Sequence, residues 1–283
     1  MSINRKFWIS MMSYSVLGLL LVTSVVPIVM MLMMSLRDTL DIYGDFWGVP
    51  LRPKWQNYSS AMLALIEPMI RSLFLCFTSI FGVLALAAFC GYAFARLKFW
   101  GKGFLFFLIV MMMTLPKVLQ LTPNFLLADW MQLRNTYTGL IAFYIGGGLL
   151  FAVFLLRSFF RSISEELFEA ARMEGSSEYI CVVKIALPLA KPIFVTIAIM
   201  TFLGIYNDLI WPMLMISSPK LQTLAMALQS FAPKAGGDAG DISNPDLGVI
   251  TSGYVFASIP LLIVFLFGMK YYVEGLTSGA VKS

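Results

Sequence analysis

Between Ser162 and Pro192 the chain gathers five carboxylates, Glu165, Glu166, Glu169, Glu174 and Glu178, with the cations Arg172, Lys184 and Lys191. Side chains of both signs at this density can pair with one another or with a soluble surface. They are poorly suited to acid–base catalysis, because the chain contains no histidine. That absence removes the usual general base, the commonest metal ligand and any Ser-His-Asp arrangement. The three cysteines, Cys76, Cys90 and Cys181, lack ligand-like spacing and read as free, packed thiols. No Gly-x-x-x-x-Gly-Lys-Ser/Thr loop is present, so the chain alone is not expected to bind and hydrolyse ATP. Neither a catalytic site nor a cofactor or metal site is expected.

A second polar group, Asn207 and Asp208, sits inside an apolar run with Tyr206 and Trp211 on either side. An intramembrane carboxylate is costly and normally faces a cavity or a partner. One reading is a proton or cation relay. The other has Asn207 and Asp208 satisfying the backbone of a helix broken just before Pro212, and it is favoured. Tyr206 and Trp211 could stack on a sugar ring or serve in packing. All four are candidates for a translocation path.

The elements that position these groups are set by composition. Hydrophobic residues make up 59% of the 283 and charged residues 12%, against roughly 45–50% and 25% in soluble domains. The bilayer must solvate most of this surface. An all-α integral membrane protein is expected, one transmembrane domain over residues 1–283 with six spans at about 7–36, 72–95, 103–127, 135–156, 192–216 and 247–269. The first follows Arg5 and Lys6 but is too long for a signal peptide's apolar region, so it reads as retained. Residues 37–71 read as a polar loop, with Trp47 and Trp55 suited to a membrane surface. The third span is expected to kink at Pro116, beside Lys117. Gly146, Gly147 and Gly148 suggest close helix packing or a distortion in the fourth.

Six spans place both termini on one side. Twelve of the 20 lysines and arginines lie on that side: Arg5, Lys6, Arg96, Lys98, Lys102, Arg157, Arg161, Arg172, Lys184, Lys191, Lys270 and Lys282. The positive-inside bias puts both termini, and the loop 157–191, in the cytoplasm of a multi-pass inner-membrane protein. The net charge of +5 reflects this distribution; no basic stripe points to nucleic acid.

In that loop, Ser162 and Glu165 fit a capping box that starts a short helix. Ile163, Leu167, Ala170 and Ala171 recur on one face, and Glu169 can reach Arg172 one turn on. Gly175 suits the left-handed residue that ends a helix, and Ser176 or Ser177 can cap the next. The segment is either an amphipathic loop on the lipid surface or a docking element for a protein. Its mixed, acidic polar face argues against anionic lipid.

These residues also carry a resemblance. Glu169-Ala170-Ala171, then Gly175, then Ile185-x-Leu187-Pro188 resembles the signature loop of permease subunits in ABC-type importers. Asn207-Asp208-Leu209-Ile210-Trp211-Pro212 and the tail Gly275 to Ser283 are similar to motifs of the carbohydrate branch, in particular the maltose-type second permease. Tyr206 and Ser278 depart from the usual tryptophan and alanine, and Glu174-Gly175-Ser176 from Asp-Gly-Ala. The resemblance implies a type I ABC importer permease fold with a cytoplasmic coupling helix. It further implies a second permease, two ATP-binding subunits that hold ATP and Mg, an extracytoplasmic solute-binding protein and a carbohydrate substrate. Glu169 would pair with a basic group of the ATPase, Ala170 and Ala171 would allow close approach, and Gly175 would set the turn. Ile185, Leu187 and Pro188 complete the motif, and the tail would reach the ATPase interface. An ATP-independent secondary transporter or channel is the other reading. It would favour paired intramembrane charges and internal repeats, and only Asp208 and Lys117 qualify.

Overall fold

A computed structural model describes residues 2–234 and 246–280, with side chains placed at 8, 10–231 and 246–269. The first helix, α1 (Ser2–Ser35), contains an apolar stretch, Ser10–Ser35, in which only the last residue, Ser35, is buried by the rest of the chain. A helix that satisfies every backbone group internally can leave such a surface to lipid. The turn after it is organised by the Arg37 guanidinium, which donates to the carbonyls of Asp41 (2.5 Å), Asp45 (2.7 Å) and Gly48 (3.0 Å). These bonds close the short helix α2 (Thr39–Gly44) and the segment bearing the exposed Trp47.

The next helix, α3 (Gln56–Arg96), has 41 residues and begins well before the expected Ser72. Its polar first turns are helical because their polar groups are used internally. Asn57 Nδ2 donates to the carbonyls of Ser35 (3.0 Å) and Arg37 (3.1 Å), while Ala61 and Leu65 are buried. At about 1.5 Å per residue α3 is roughly 60 Å long, about twice a hydrocarbon core.

The expected third span is two helices, α4 (Lys102–Thr114) and α5 (Lys117–Trp130), turned by 108° instead of gently kinked. Leu115 is extended (φ −73°, ψ 126°), the conformation that a following proline imposes, so Leu115 and Pro116 together end one helix and open another. α6 (Tyr137–Ser162) runs past Leu156 through Arg157 and Arg161.

The loop beyond it holds α7 (Glu165–Met173), α8 (Glu178–Ile180), a π-helical turn at Cys181–Ala186 and α9 (Leu187–Leu189). The fifth span is also interrupted. α10 (Lys191–Tyr206) stops at Asn207, and α11 (Ile210–Met215) follows. After α12 (Leu224–Lys234), α13 (Leu247–Ala280) carries the apolar stretch Leu247–Met269. Of the tail motif, Gly275 to Ala280 continue α13, and Val281 to Ser283 lie outside the described residues. Among the described residues, four helices are long and apolar enough to cross a membrane, or six if α4 with α5, and the run Glu178–Leu189 with α10 (bent by 76°), each count as one span.

Two compact units divide these helices. One takes Met1–Ile66 with Leu228–Ile259. Within it Asp246 Oδ1 accepts from the backbone of Gly248 (3.1 Å) and Val249 (3.2 Å), capping α13, and Ser252 donates to the Asn57 carbonyl (2.9 Å). The other takes Glu67–Ala227 with Pro260–Ser283, and here α3 and α6 pack closely. A Cβ on Gly91 would lie 2.8 Å from Leu156 Cβ, a contact no rotamer can relieve. Only one of the three consecutive glycines serves this packing. Gly148 faces Val83, whereas Gly146 and Gly147 have open space.

Candidate functional site

The loop after α6 is built from local rules that the sequence carries openly. At the end of α7 the N–H of Ser176 bonds the Ala171 carbonyl (2.9 Å) and the N–H of Gly175 bonds that of Arg172 (3.0 Å). Gly175 takes φ +84°, so the turn is the left-handed helix stop expected of it. Ser177 Oγ then accepts from the Ile180 N–H (3.4 Å), opening α8. The capping box at Ser162 does not form. Ser162 belongs to the last turn of α6 and donates to the Phe159 carbonyl (2.7 Å), while Ser164 occupies the N-cap of α7 without a side-chain bond.

The apolar anchor of α7 is Phe168, fully buried, one position away from the stripe expected through Leu167. It sits edge-on to Tyr92 of α3 (5.9 Å) and under the guanidinium of Arg96 (4.6 Å), in one core with Phe160, Cys181, Val182 and Ala186. One side of the segment is therefore folded into the protein. Polar bonds surround the anchor. Tyr92 Oη donates to Glu178 (2.6 Å), Arg172 donates through Nε to Glu178 (2.9 Å) and through Nη1 to Glu165 (3.3 Å), and Arg96 pairs with Glu165. Arg172 thus spans two carboxylates, and the expected partnership with Glu169 is replaced.

The charges are correspondingly fixed. Partial burial pushes the Glu165 carboxyl up, but hydrogen bonds from Arg172 and the charge of Arg96 outweigh it and hold the group below its usual range. The hydrogen bond from Tyr92, then that from Arg172, does the same for Glu178. Arg172 is raised, chiefly by its bond to Glu178.

The residues singled out from sequence fall into two sets. Ala171, Ile185 and Leu187 are half-buried against the core, and Gly175 makes the turn. Glu169, Ala170 and Pro188 are exposed. With Glu166 and Met173, the latter 90% exposed, Glu169 and Ala170 form the free side of α7. Tyr92, Arg96, Phe160 and Phe168 were not foreseen. Phe168 was the one detectable from sequence, as the bulkiest apolar residue in a nine-residue helix.

The polar group in the fifth span occupies the break between α10 and α11. Asp208 accepts from the Trp211 N–H (3.3 Å) and from Tyr144 Oη (3.1 Å), and Asn207 Nδ2 donates to the Leu203 carbonyl (3.0 Å). Tyr206 is buried and stacked on Phe202 (5.2 Å), and Trp211 is buried against Phe143 (5.1 Å). Asn207 is exposed and Asp208 half-buried. Asp208→Asn keeps an acceptor for Trp211, and its amide can donate to the tyrosine hydroxyl. Uptake by that variant should stay within a few-fold of the parent protein in a vesicle assay. Complete loss at normal membrane levels would favour the relay.

Two short helices turned by a left-handed glycine are thus held on the ends of α3 and α6. The sequence matches the family described as binding-protein-dependent transport system inner membrane component over residues 83–277, more than half the chain. The chain belongs to that family. It is a multi-pass membrane permease subunit of the ABC importer type, and the loop lies within the matched region. Probable ABC transporter permease protein YurM of Bacillus subtilis (strain 168) is 30% identical over 285 residues, covering 99% of this permease and 91% of the relative. Diacetylchitobiose uptake system permease protein NgcG of Streptomyces coelicolor (strain ATCC BAA-471 / A3(2) / M145) is 26% identical over 283 residues, covering 99% and 91%. Among solved structures, a chain of a bacterial ABC transporter involved in the import of the acidic polysaccharide alginate superposes with a TM-score of 0.83. The identity is 21%, with 96% of this permease and 98% of that chain covered, and the likeness is one of fold.

Proposed function

We propose that this permease forms, with a second permease, the membrane path of an ATP-driven importer for a carbohydrate, an oligosaccharide being favoured. A binding protein delivers the substrate on the outside, and two ATPase subunits work from the cytoplasm, where both termini lie. The observation that carries the mechanical part is the two-sidedness of α7. Phe168 fixes one side to the core, and the other presents Glu166, Glu169, Ala170 and Met173. The small Ala170 leaves room for an approaching surface, and the carboxylates suit a basic one. Glu169 pairs with a cation of the ATPase, Gly175 sets the angle of the helix, and Ile185, Leu187 and Pro188 hold the return to the membrane. ATP and Mg belong to the ATPase, and this chain needs no cofactor of its own.

The carbohydrate class rests on the family and on relatives such as the diacetylchitobiose uptake permease. Tyr206, Asn207, Asp208 and Trp211 border the path at the break in the fifth span, with the two rings supporting its wall. The test is ATP hydrolysis by the reconstituted complex with its binding protein, across linear oligosaccharides, amino acids and metal ions. Stimulation by at least one oligosaccharide is expected. Stimulation by amino acids or metals alone would overturn the substrate class, and failure of any ATPase to co-purify would overturn the docking.

A further inference from the structure

The polar bonds around Phe168 form a closed circuit. Tyr92 donates to Glu178 at 2.6 Å, Arg172 bridges Glu178 (2.9 Å) and Glu165 (3.3 Å), and Arg96 pairs with Glu165. Tyr92 and Arg96 stand one turn apart on α3, so the helix itself closes the ring. Arg96 is additionally tied to the end of α6 through the carbonyls of Phe160 (2.6 Å) and Ile163, and its side chain is only 6% exposed. None of the five side chains belongs to the free side of α7.

The ring answers a physical need that Phe168 cannot meet. Apolar burial holds α7 down but is non-directional, so a single buried ring leaves the helix free to rock about its contact. Directional bonds to two carboxylates, Glu165 at the start of α7 and Glu178 after its turn, fix orientation as well as position. Arg172 is the member that joins those carboxylates. A guanidinium supplies two differently aimed donors from one rigid plane, whereas a lysine supplies a single compact charge.

We infer that Arg172 is a positioning residue for coupling: it makes α7 and the end of α3 move as one body, so that displacement of the docked helix reaches the spanning helix. The inference rests on the docking of α7 to an ATPase. Without Arg172, α7 still docks and still follows the ATPase, but its rotation is no longer handed to α3.

Hydrogen exchange of the assembled complex in lipid, with ATP and orthovanadate as the probe, tests this directly. In the parent protein, trapping should alter exchange both in residues 165–173 and in residues 88–96. In Arg172→Gln the change at 165–173 should persist, and the change at 88–96 should shrink by roughly threefold or more, the scale of single-residue effects on coupling. Arg172→Lys should recover only part of it. Tyr92→Phe keeps the aromatic packing and should show the same selective loss to a smaller degree, so the test does not depend on one variant folding. An undiminished change at 88–96 in the intact Arg172→Gln complex would overturn the inference. So would loss of ATPase co-purification in that variant alone, which would place Arg172 in the docking surface. Failure of the parent protein to retain an ATPase would remove the docking reading first, and the inference with it.

Discussion

Gly175→Val should abolish most uptake while leaving the permease in the membrane in normal amounts. The reason lies in the backbone and not in space. A Cβ at this position would meet nothing within 4 Å, yet φ is +84°. An L residue held left-handed costs about 1–2 kcal/mol, and a β-branched side chain adds to it. That is a factor of roughly 5–30 in the fraction of loops correctly turned. The turn carries more than its own two hydrogen bonds. Beyond it stand Ser177, which caps α8, and Glu178, which bonds Tyr92 and Arg172, so a different exit angle removes the carboxylate from both partners. Gly175→Asn is the discriminating control, since asparagine tolerates the left-handed region and should retain much of the activity. Immunoblotting of membranes, ATP hydrolysis and vesicle uptake check the prediction together. Uptake by the valine variant equal to the parent would show that the turn is dispensable.

The features legible in the sequence are those governed by short-range rules. Gly175 and Ser177 announce their turn and cap, the long apolar runs announce α1 and α13, and the acidic loop stands out against the apolar rest. The misread features depend either on partners far away in the chain or on where a neighbouring helix chooses to end. Gln56 to Arg71 looked like a loop because it is polar, but Asn57 spends its amide on carbonyls about twenty positions earlier. Pro116 promised a kink, and the extended Leu115 beside it produced a turn of 108°. Ser162 and Glu165 have the spacing of a capping box, yet α6 continues through Ser162 and claims it. In the loop, periodicity located an amphipathic helix but placed its stripe one residue off, through Leu167. Nothing local says that Tyr92 and Arg96, 86 and 69 positions from their carboxylates, are waiting to receive Phe168.

That misplacement separates two faces whose substitutions should behave in opposite ways. Phe168→Ala removes a fully buried ring from between Tyr92 and Arg96, a change that costs about 3–5 kcal/mol in well-packed cores. A helix of nine residues has no independent stability to fall back on, being shorter than the roughly 12–15 residues at which isolated helices become marginal. Exchange of the amides of α7 should therefore accelerate by roughly a hundredfold or more, at about 1.4 kcal/mol per tenfold. The ATPase should be lost on purification, because its docking helix is no longer held folded on the core. Phe168→Leu, which refills part of the volume, should lie between. Met173→Ala, on a side chain already 90% exposed, should leave exchange unchanged and weaken only the association. A Phe168→Ala permease with the parent's exchange profile would mean that α7 is held by its ion pairs alone. The circuit through Arg172 and Arg96 would then hold α7 in place as well as orient it, and the buried ring would only fill space between Tyr92 and Arg96.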